Sequence, residues 1–291
     1  MYDGCLFIMP SSPPRWLVLV CLVGAMLLIS HEIALLPDGK AHAHILDVGQ
    51  GDSILLVSPT GKQVLVDGGP DLSTLEYLGN YMPFFDRSID LIILTHPHED
   101  HLAALPEVLK RYRVGQIILA GTESSNSRYR SMLEEVTKQK VAVILPDPDK
   151  DIDLGNGMVL DVLWPDLNSP LAHSENANNS SVAIRVLYGD ESIVLTGDIE
   201  TEVENAILES GAELESNIVK VAHHGSRTSS SSGFIKATSA TEAVISVGEV
   251  NSFGHPNLDV IDRWKSFGVD VSLTSEVRTV SYTFSGPSAE E

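Results

Sequence analysis

The sequence predicts an α/β (α+β) sandwich, with two mixed β-sheets face to face, helices outside, and one apolar helix ahead of them. Three observations carry this. Short β-rich runs alternate with helical runs from about residue 42 onward, the runs fall into two successive series, and a charge-free stretch precedes both.

The apolar stretch comes first. Residues Trp16 to Ser30 carry no charge, and apolar character resumes at Ile33–Leu36 after His31 and Glu32. Read through to Leu36, it has the roughly 20 residues that span a bilayer. A buried core helix fits less well, because the stretch has no polar face. Arg15 precedes it and Lys40, beside Asp38, follows it, which favours an N-in, C-out anchor. Ala41-His42-Ala43 has the form of a signal-cleavage site, yet lies well past the apolar core and directly before a strand. The expected organisation is an N-terminal segment 1–41, with an anchor or signal helix at about 16–36, and a domain 42–291. Anchored or secreted, that domain lies outside the cytoplasm.

Within it, Ala43–Val48, Ser53–Val57 and Gln63–Val66 read as strands, with Pro59-Thr60-Gly61-Lys62 turning between the last two. Leu91–Leu94 is continuously apolar, as in a strand covered on both faces. Helices Leu102–Tyr112 and Tyr129–Gln139 alternate with strands Val114–Leu119 and Val141–Leu145. The second series has strands Met158–Leu163, Val182–Leu187 and Ser192–Leu195, a helix near Glu202–Glu209, and strands Ile218–Val221 and Ala243–Val247. A helix near Leu258–Phe267 and strands Asp270–Leu273 and Thr279–Phe284 close the chain.

Composition narrows the chemistry. Lys plus Arg number 19 against 40 Asp plus Glu, a net charge of −21, which argues against holding duplex nucleic acid by overall charge. The 2 cysteines, Cys5 and Cys21, lie in or beside the apolar stretch, so the domain has neither a disulfide framework nor cysteine metal ligands. A metal site there must use His and carboxylates.

Such a cluster follows the strand Leu91–Leu94. Thr95-His96-Pro97-His98-Glu99-Asp100-His101 packs three imidazoles and two carboxylates into one short loop. His96 and His98, two apart in extended chain, can face one cation, while Asp100 and His101 turn into the next helix and can serve a second. Nitrogen and oxygen donors suit Zn²⁺, with Mn²⁺ or Fe as alternatives. A solvated helix start capped by Asp100 is the plainer reading, and the density of ligands argues against it.

HPHEDH matches the H-x-H-x-D-H signature of the metallo-β-lactamase superfamily, and other segments resemble that family's further motifs. These are Leu65-Val66-Asp67-Gly68-Gly69, Leu195-Thr196-Gly197-Asp198 and Val221-Ala222-His223-His224-Gly225-Ser226. With His44-Ile45-Leu46-Asp47-Val48-Gly49-Gln50-Gly51-Asp52-Ser53 and Gly254-His255-Pro256, residues 42–284 are similar to the C-terminal domain of the ComEC competence family, as a stand-alone relative or a terminal fragment. The resemblance implies a four-layer αββα sandwich preceded by one transmembrane helix. It also implies a metal-dependent hydrolase with two divalent ions, Zn²⁺ or Mn²⁺.

The implied ligands are His96, His98 and Asp198 for one ion, and Asp100, His101, Asp198 and His224 for the other, with Asp198 bridging. Asp67 would orient a ligand imidazole through its other ring nitrogen. Of His223 and His224, His224 is the favoured ligand; His223 would contact substrate or protonate the leaving group. Asp100 and His223 are the candidate catalytic groups, and Ser226 and His255 the candidate substrate contacts. One departure stands out. Where hydrolases of the superfamily supply a further His, this chain has Asn176-Ala177-Asn178-Asn179-Ser180-Ser181, with His173 off position, so Asn179 or water is expected to complete the His96/His98 site.

Asp47 and Asp52 flank a glycine turn near the cleft without a clear role. Ser229–Ser232 could cap a helix and offer donors to phosphate. Arg185, Arg227 and Lys236 are candidate phosphate contacts, with no basic, aromatic-interleaved groove around them.

The implied activity is a phosphodiesterase or nuclease acting on DNA during competence-related uptake, with single-stranded DNA as substrate, the membrane as support and a ComEC-like channel component as partner. One alternative is a phosphodiesterase for choline-bearing envelope polymers, which needs an aromatic cage for which Trp164 and Trp264 are the tryptophans available. Another is a non-catalytic, metal-stabilised module binding DNA or a partner.

Overall fold

Arg15–Ala34 form helix α1, whose residues are nearly all apolar and of which none is buried. Pro14 stands at its start, where a missing N–H is no loss. With 20 residues and a mean hydropathy of 2.3, α1 is by length and composition a candidate membrane span. The computed structural model describes residues 14–121 and 124–286. Cys5 lies outside them, and Cys21 is an exposed free thiol on α1. The chain divides into two units, Met1–Leu36 and Pro37–Glu291.

The second unit begins with strands β1 (Ala41–Ile45), β2 (Ile54–Val57) and β3 (Gln63–Val66), helix α2 (Ser73–Tyr81) and strand β4 (Ser88–Leu94). Helices α3 (Glu99–Leu102) and α4 (Leu105–Arg111), strand β5 (Arg113–Leu119), helix α5 (Ser127–Gln139) and strand β6 (Ala142–Ile144) follow. The chain then lays down β7 (Ile152–Gly155), β8 (Met158–Trp164), β9 (Ala183–Tyr188), β10 (Glu191–Leu195), α6 (Thr201–Ser210) and β11 (Ile218–Lys220). Helix α7 (Ser232–Thr238), β12 (Glu242–Ile245), α8 (Leu258–Ser266), β13 (Asp270–Leu273), α9 (Thr274–Val277) and β14 (Val280–Phe284) complete it.

Two seven-stranded sheets result, ordered β14-β1-β2-β3-β4-β5-β6 and β13-β12-β11-β10-β9-β8-β7. Strand side chains alternate between the faces, and that sorts the core. Ile54, Leu56, Leu91 and Ile93 of the first sheet meet Leu160, Ile184, Ile193 and Leu195 of the second in the middle layer. Leu55, Leu65 and Ile92 face the other way, against Leu105, Val108 and Met132 of the helices. Val194, Val219 and Ala243 likewise cover Val203, Phe234 and Trp264. Four layers, helix-sheet-sheet-helix, follow from strands apolar on both faces.

The differences from expectation have local causes. The helix expected over Leu102–Tyr112 is two helices, because Pro106 in the first turn of α4 has no N–H to give the Leu102 carbonyl, and the Ala103 N–H is shared between the Glu99 carbonyl at 3.2 Å and the Gly69 carbonyl at 3.0 Å. The strand expected over Ala43–Val48 stops at Ile45, since the Val48 N–H turns back to the Leu46 carbonyl at 2.9 Å and leads the glycine turn toward the helix α3 loop. Helices α2 and α9 and strand β7 lie outside the expected elements. Helix α2 starts without a side-chain cap, and β7 is a short edge strand.

His44 on β1 gives the fold an acid-sensitive point. Its ring packs 4.2 Å from Tyr81, and Nδ1 lies 2.8 Å from the Ser281 hydroxyl of β14. Burial, with the neighbouring His42, holds the imidazole down at about 4 against an ordinary 6.5. Between those values the unfolded chain takes up a proton that the fold refuses, so stability falls as pH drops from 6.5 toward 4. The loss near pH 4.5 is about 2–3 kcal/mol. His44→Gln, which can keep the bond to Ser281, is expected to lose that much less between about pH 7 and 4.5 in urea unfolding. Equal losses would show the ring open to water.

Candidate metal centre

The first sheet supplies one side of the centre. Strand β3 ends at Asp67, whose φ of 62° turns its carboxylate under the β4–α3 loop. One oxygen accepts from the Thr95 N–H at 2.8 Å, the other from the Thr95 hydroxyl at 2.7 Å and from His101 Nδ1 at 2.7 Å. With Nδ1 so engaged, His101 presents Nε2 to the cleft. The Thr95 hydroxyl, its proton spent on Asp67, accepts from His96 Nδ1 at 3.1 Å, so His96 also presents Nε2. One buried carboxylate thus sets the orientation of two imidazoles. His98 is exposed at the rim, its Nδ1 2.9 Å from His96 Nε2. Gly51 lets the glycine turn pack onto this loop: a Cβ there would stand 2.2 Å from the Asp100 carbonyl oxygen.

The second sheet supplies the other side. Strand β10 runs into Asp198, whose N–H is fixed by the Ser181 hydroxyl at 3.2 Å. Asp198 Oδ2 lies 3.3 Å from His101 Nε2, 3.5 Å from His224 Nε2, and 3.9 Å from both His96 Nε2 and His223 Nε2. His223 and His224 are both left-handed, at φ 50° and 52°, which turns both rings toward the cleft instead of to opposite sides as extended chain would. His224 donates Nδ1–H to the Ser246 carbonyl at 2.8 Å, leaving Nε2 3.5 Å from Asp100 Oδ2. His223 lies at the rim, with Nδ1 3.2 Å from the Thr228 hydroxyl.

His101 Nε2, His224 Nε2 and Asp198 Oδ1 are buried without a hydrogen-bond partner. Buried polar atoms are rarely left so, and here they converge from separate elements. Two groupings place their donor atoms within 4.8 Å of one another, His96 with His101 and Asp198, and Asp100 with His101 and His224. The donor set, imidazole nitrogen and carboxylate oxygen, fits a divalent cation. Groupings that include Asp52 do not, because Asp52 is already paired with the fully buried Lys220.

That pair is the feature sequence reasoning missed. Lys220 ends β11, its ammonium held by Asp52 and 3.5 Å from the Gly197 carbonyl. Asp52 stands 3.7 Å from His224 Nδ1 and 3.9 Å from His101 Nδ1, behind both rings. The available signal was a lysine interrupting the apolar run Ile218-Val219-Lys220-Val221.

Other expected positions shift. Asn178, not Asn179, lines the cleft, with Nδ2 3.3 Å from His223 Nε2. The single-turn helix Ala177–Ser180 directs Asn179 to Glu202 at 3.2 Å. Ser226 is buried, its hydroxyl 3.1 Å from that of Thr228, and does not line the cleft. His255 does line it. The N–H groups of Ser230 and Ser231 are taken by buried Glu204 at 2.5 and 2.7 Å, so that run caps α7 and keeps those two donors from a phosphate. Arg185 lines a different hollow, Arg227 pairs with Asp259 at 3.2 Å, and Lys236 is exposed on α7, away from the cleft lining.

The charges are arranged in opposition. Burial disfavours the imidazolium of His101, yet Asp198, Asp67 and Asp100 around it raise its pKa well above the ordinary value. Burial acts the same way on His224, and Asp198 and Asp52 outweigh it upward. Burial would raise the carboxyls of Asp198 and Asp100, but the imidazoles of His224 and His101 hold both below the usual range. His96 and His223 are lowered, burial being the main cause. The centre opens into a cleft of about 310 Å³.

Residues 46–249 match the family described as the metallo-beta-lactamase superfamily. The chain is 27% identical over 265 residues to ComE operon protein 3 of Bacillus subtilis (strain 168), covering 85% of this chain and 33% of that protein. It is 26% identical over 251 residues to competence protein ComA of Neisseria gonorrhoeae, covering 84% and 33%. The chain thus spans about a third of the length of these relatives. Among solved structures, the metallo-beta-lactamase fold protein YhfI from Bacillus subtilis superposes with a TM-score of 0.54 at 15% identity, over 83% of this chain and 99% of that one, a likeness of fold. The family carries divalent metals, and the orphaned ring nitrogens and carboxylate here are donors of the kind such an ion takes. The chain belongs to the metallo-β-lactamase superfamily and is homologous to the ComEC-like competence proteins.

Proposed function

We propose that this protein is a metal-dependent phosphodiesterase that cleaves DNA strands, anchored by α1 with its catalytic domain outside the cytoplasm. One observation carries the hydrolytic part: the unpartnered His101 Nε2, His224 Nε2 and Asp198 Oδ1, brought from both sheets to the floor of an open cleft. The step to DNA rests on relatives named for competence, such as competence protein ComA.

His96, His98 and Asp198 would hold one divalent ion, and Asp100, His101, Asp198 and His224 a second. Divalent ions held there would supply Lewis acidity for hydrolysis at phosphorus. The chain's own residues do the rest. Asp67 and Thr95 fix which nitrogen His101 and His96 present. His224 is fixed by Ser246. Burial keeps His223 mostly uncharged near neutrality, so its imidazole on the cleft wall serves to hydrogen-bond the substrate more than to store a proton. His255, also on the wall, adds a second imidazole to that contact.

The net charge of −21 repels a polyanion, and Asp100 and Asp198 sharpen this at the cleft. Bound cations invert the local sign. Stripping metal with EDTA is therefore expected to abolish cleavage of single-stranded DNA and to weaken binding at least about tenfold, with both restored by Mn²⁺ or Zn²⁺. Metal content and strand scission of the purified chain test the proposal. Fully metal-loaded protein that turns over another ester but leaves DNA intact overturns the DNA reading. Failure to bind one equivalent of metal overturns the hydrolytic one.

Neither tryptophan that the choline alternative would use lines the cleft. Trp164 is buried, its Nε1–H spent on the Asn179 carbonyl at 2.7 Å, and Trp264 lies in the core.

A further inference from the structure

Phe253 is an exposed aromatic with a built setting. The residue is 65% exposed although it lines the cleft. Its ring lies nearly parallel to His255, at 14° with centroids 6.0 Å apart. His255 in turn lies 5.7 Å from the ring of His223, which is 6.5 Å from that of His224. Four rings thus run in a row from a candidate ligand to the rim.

The segment that carries Phe253 is braced at both ends. Asn251 holds it from inside: Oδ1 accepts from the N–H groups of Phe253 and His255 at 3.2 and 3.1 Å, and Nδ2 donates to the carbonyls of Gly248 and His255 at 3.3 and 2.7 Å. Gly248 presses against the β1–β2 turn, its N–H 3.4 Å from Gln50 Oε1, and a Cβ there would lie 3.0 Å from the Gln50 nitrogen. Beyond His255, the Asn257 N–H bonds the Gly225 carbonyl at 2.9 Å, next to His224. An exposed phenyl ring carried on a backbone held this firmly loses less entropy on binding a flat partner than one on a mobile loop.

We infer that Phe253 and His255 form a stacking platform for a nucleobase of single-stranded nucleic acid, flanking the phosphodiester over the metal centre. The inference rests on the proposed phosphodiesterase reading and adds what that reading lacks, a contact for the base. A base is favoured over a quaternary amine because the platform offers one open aromatic face, whereas a cation is caged by several. The acids nearby are engaged: Glu99 pairs with Arg128 at 2.7 Å, and Asp100 faces His224. Duplex DNA keeps its bases stacked inside and has none to offer.

The test uses the whole metal-loaded chain in detergent micelles and two cleavage-resistant phosphorothioate oligonucleotides of equal length. One carries a single 2-aminopurine among thymines, and the other is abasic. The expected result is 2-aminopurine quenching by the wild type. Phe253→Ala should weaken the base-bearing strand roughly 5- to 100-fold and leave the abasic strand unchanged, while Phe253→Trp restores binding. Quenching lost in Phe253→Ala supports the platform even where ordinary DNA is not cut, a result that would sink the nuclease reading alone. Unchanged affinity in Phe253→Ala, or equal loss for both strands, overturns the platform whether or not DNA is cleaved. Binding of phosphorylcholine that depends on Phe253, without discrimination between the strands, overturns it in favour of a cationic headgroup.

Discussion

Replacing His101 with alanine is expected to reduce metal affinity by more than about 100-fold and to remove hydrolytic activity with it. The reasoning starts from a bound on its neighbour. Losing the group that orients a ligand imidazole costs about 10–100-fold in metal affinity, and Asp67→Ala is expected to fall in that range. His101 is the imidazole so oriented and the one common to both principal groupings, so its loss must exceed the loss of its support. The substitution also deprives Asp67 of one of its hydrogen bonds, while both bonds from Thr95 remain. The accompanying destabilisation should stay near 1–3 kcal/mol, small enough for the variant to fold. Calorimetric titration with Zn²⁺ and Mn²⁺, alongside thermal unfolding, separates the two effects. A folded His101→Ala protein that still takes up metal at wild-type affinity would remove His101 from the centre.

The second large effect concerns Lys220 and Asp52. Lys220→Met is expected to destabilise the metal-free protein by about 3–5 kcal/mol, because it strands a carboxylate in a site from which water is excluded. Asp52→Asn alone should cost a comparable amount for the mirror-image reason. The double variant Asp52→Asn/Lys220→Met buries no net charge and should recover most of the loss, since a neutral pair of similar volume often matches a buried ion pair. Urea unfolding of all four proteins closes the cycle. A loss under about 1 kcal/mol for Lys220→Met would mean that solvent reaches the pair.

What the sequence made legible follows from how far apart the interacting residues lie. His96, His98, Asp100 and His101 announce themselves because chemistry is concentrated in a few neighbouring positions, and the layer order follows from strands apolar on both faces. Asp198 and His224 lie far along the chain, and only resemblance to a family connected them to the first loop. Lys220 and Asp52 are 168 residues apart, and nothing local says that a lysine inside a strand will find a carboxylate on the β1–β2 turn of the other half. The choice between Asn178 and Asn179 turns on the phase of a single helical turn, which residue type does not set. The facing of both His223 and His224 toward the cleft depends on two successive left-handed residues, a conformation that neither residue type advertises. Phe253 carries no signal of its own, since an isolated aromatic in a loop has no periodicity to betray it.

The donors of the centre are divided between the two halves of the sandwich, His96, Asp100 and His101 on one side and Asp198 and His224 on the other. The grouping of His96 and His101 with Asp198, and that of Asp100 and His101 with His224, each draw a donor from both halves, so each is complete only once the two sheets have closed on each other. Metal affinity is therefore expected to rise with folding itself, and a partly unravelled chain to hold a cation more weakly than the closed one.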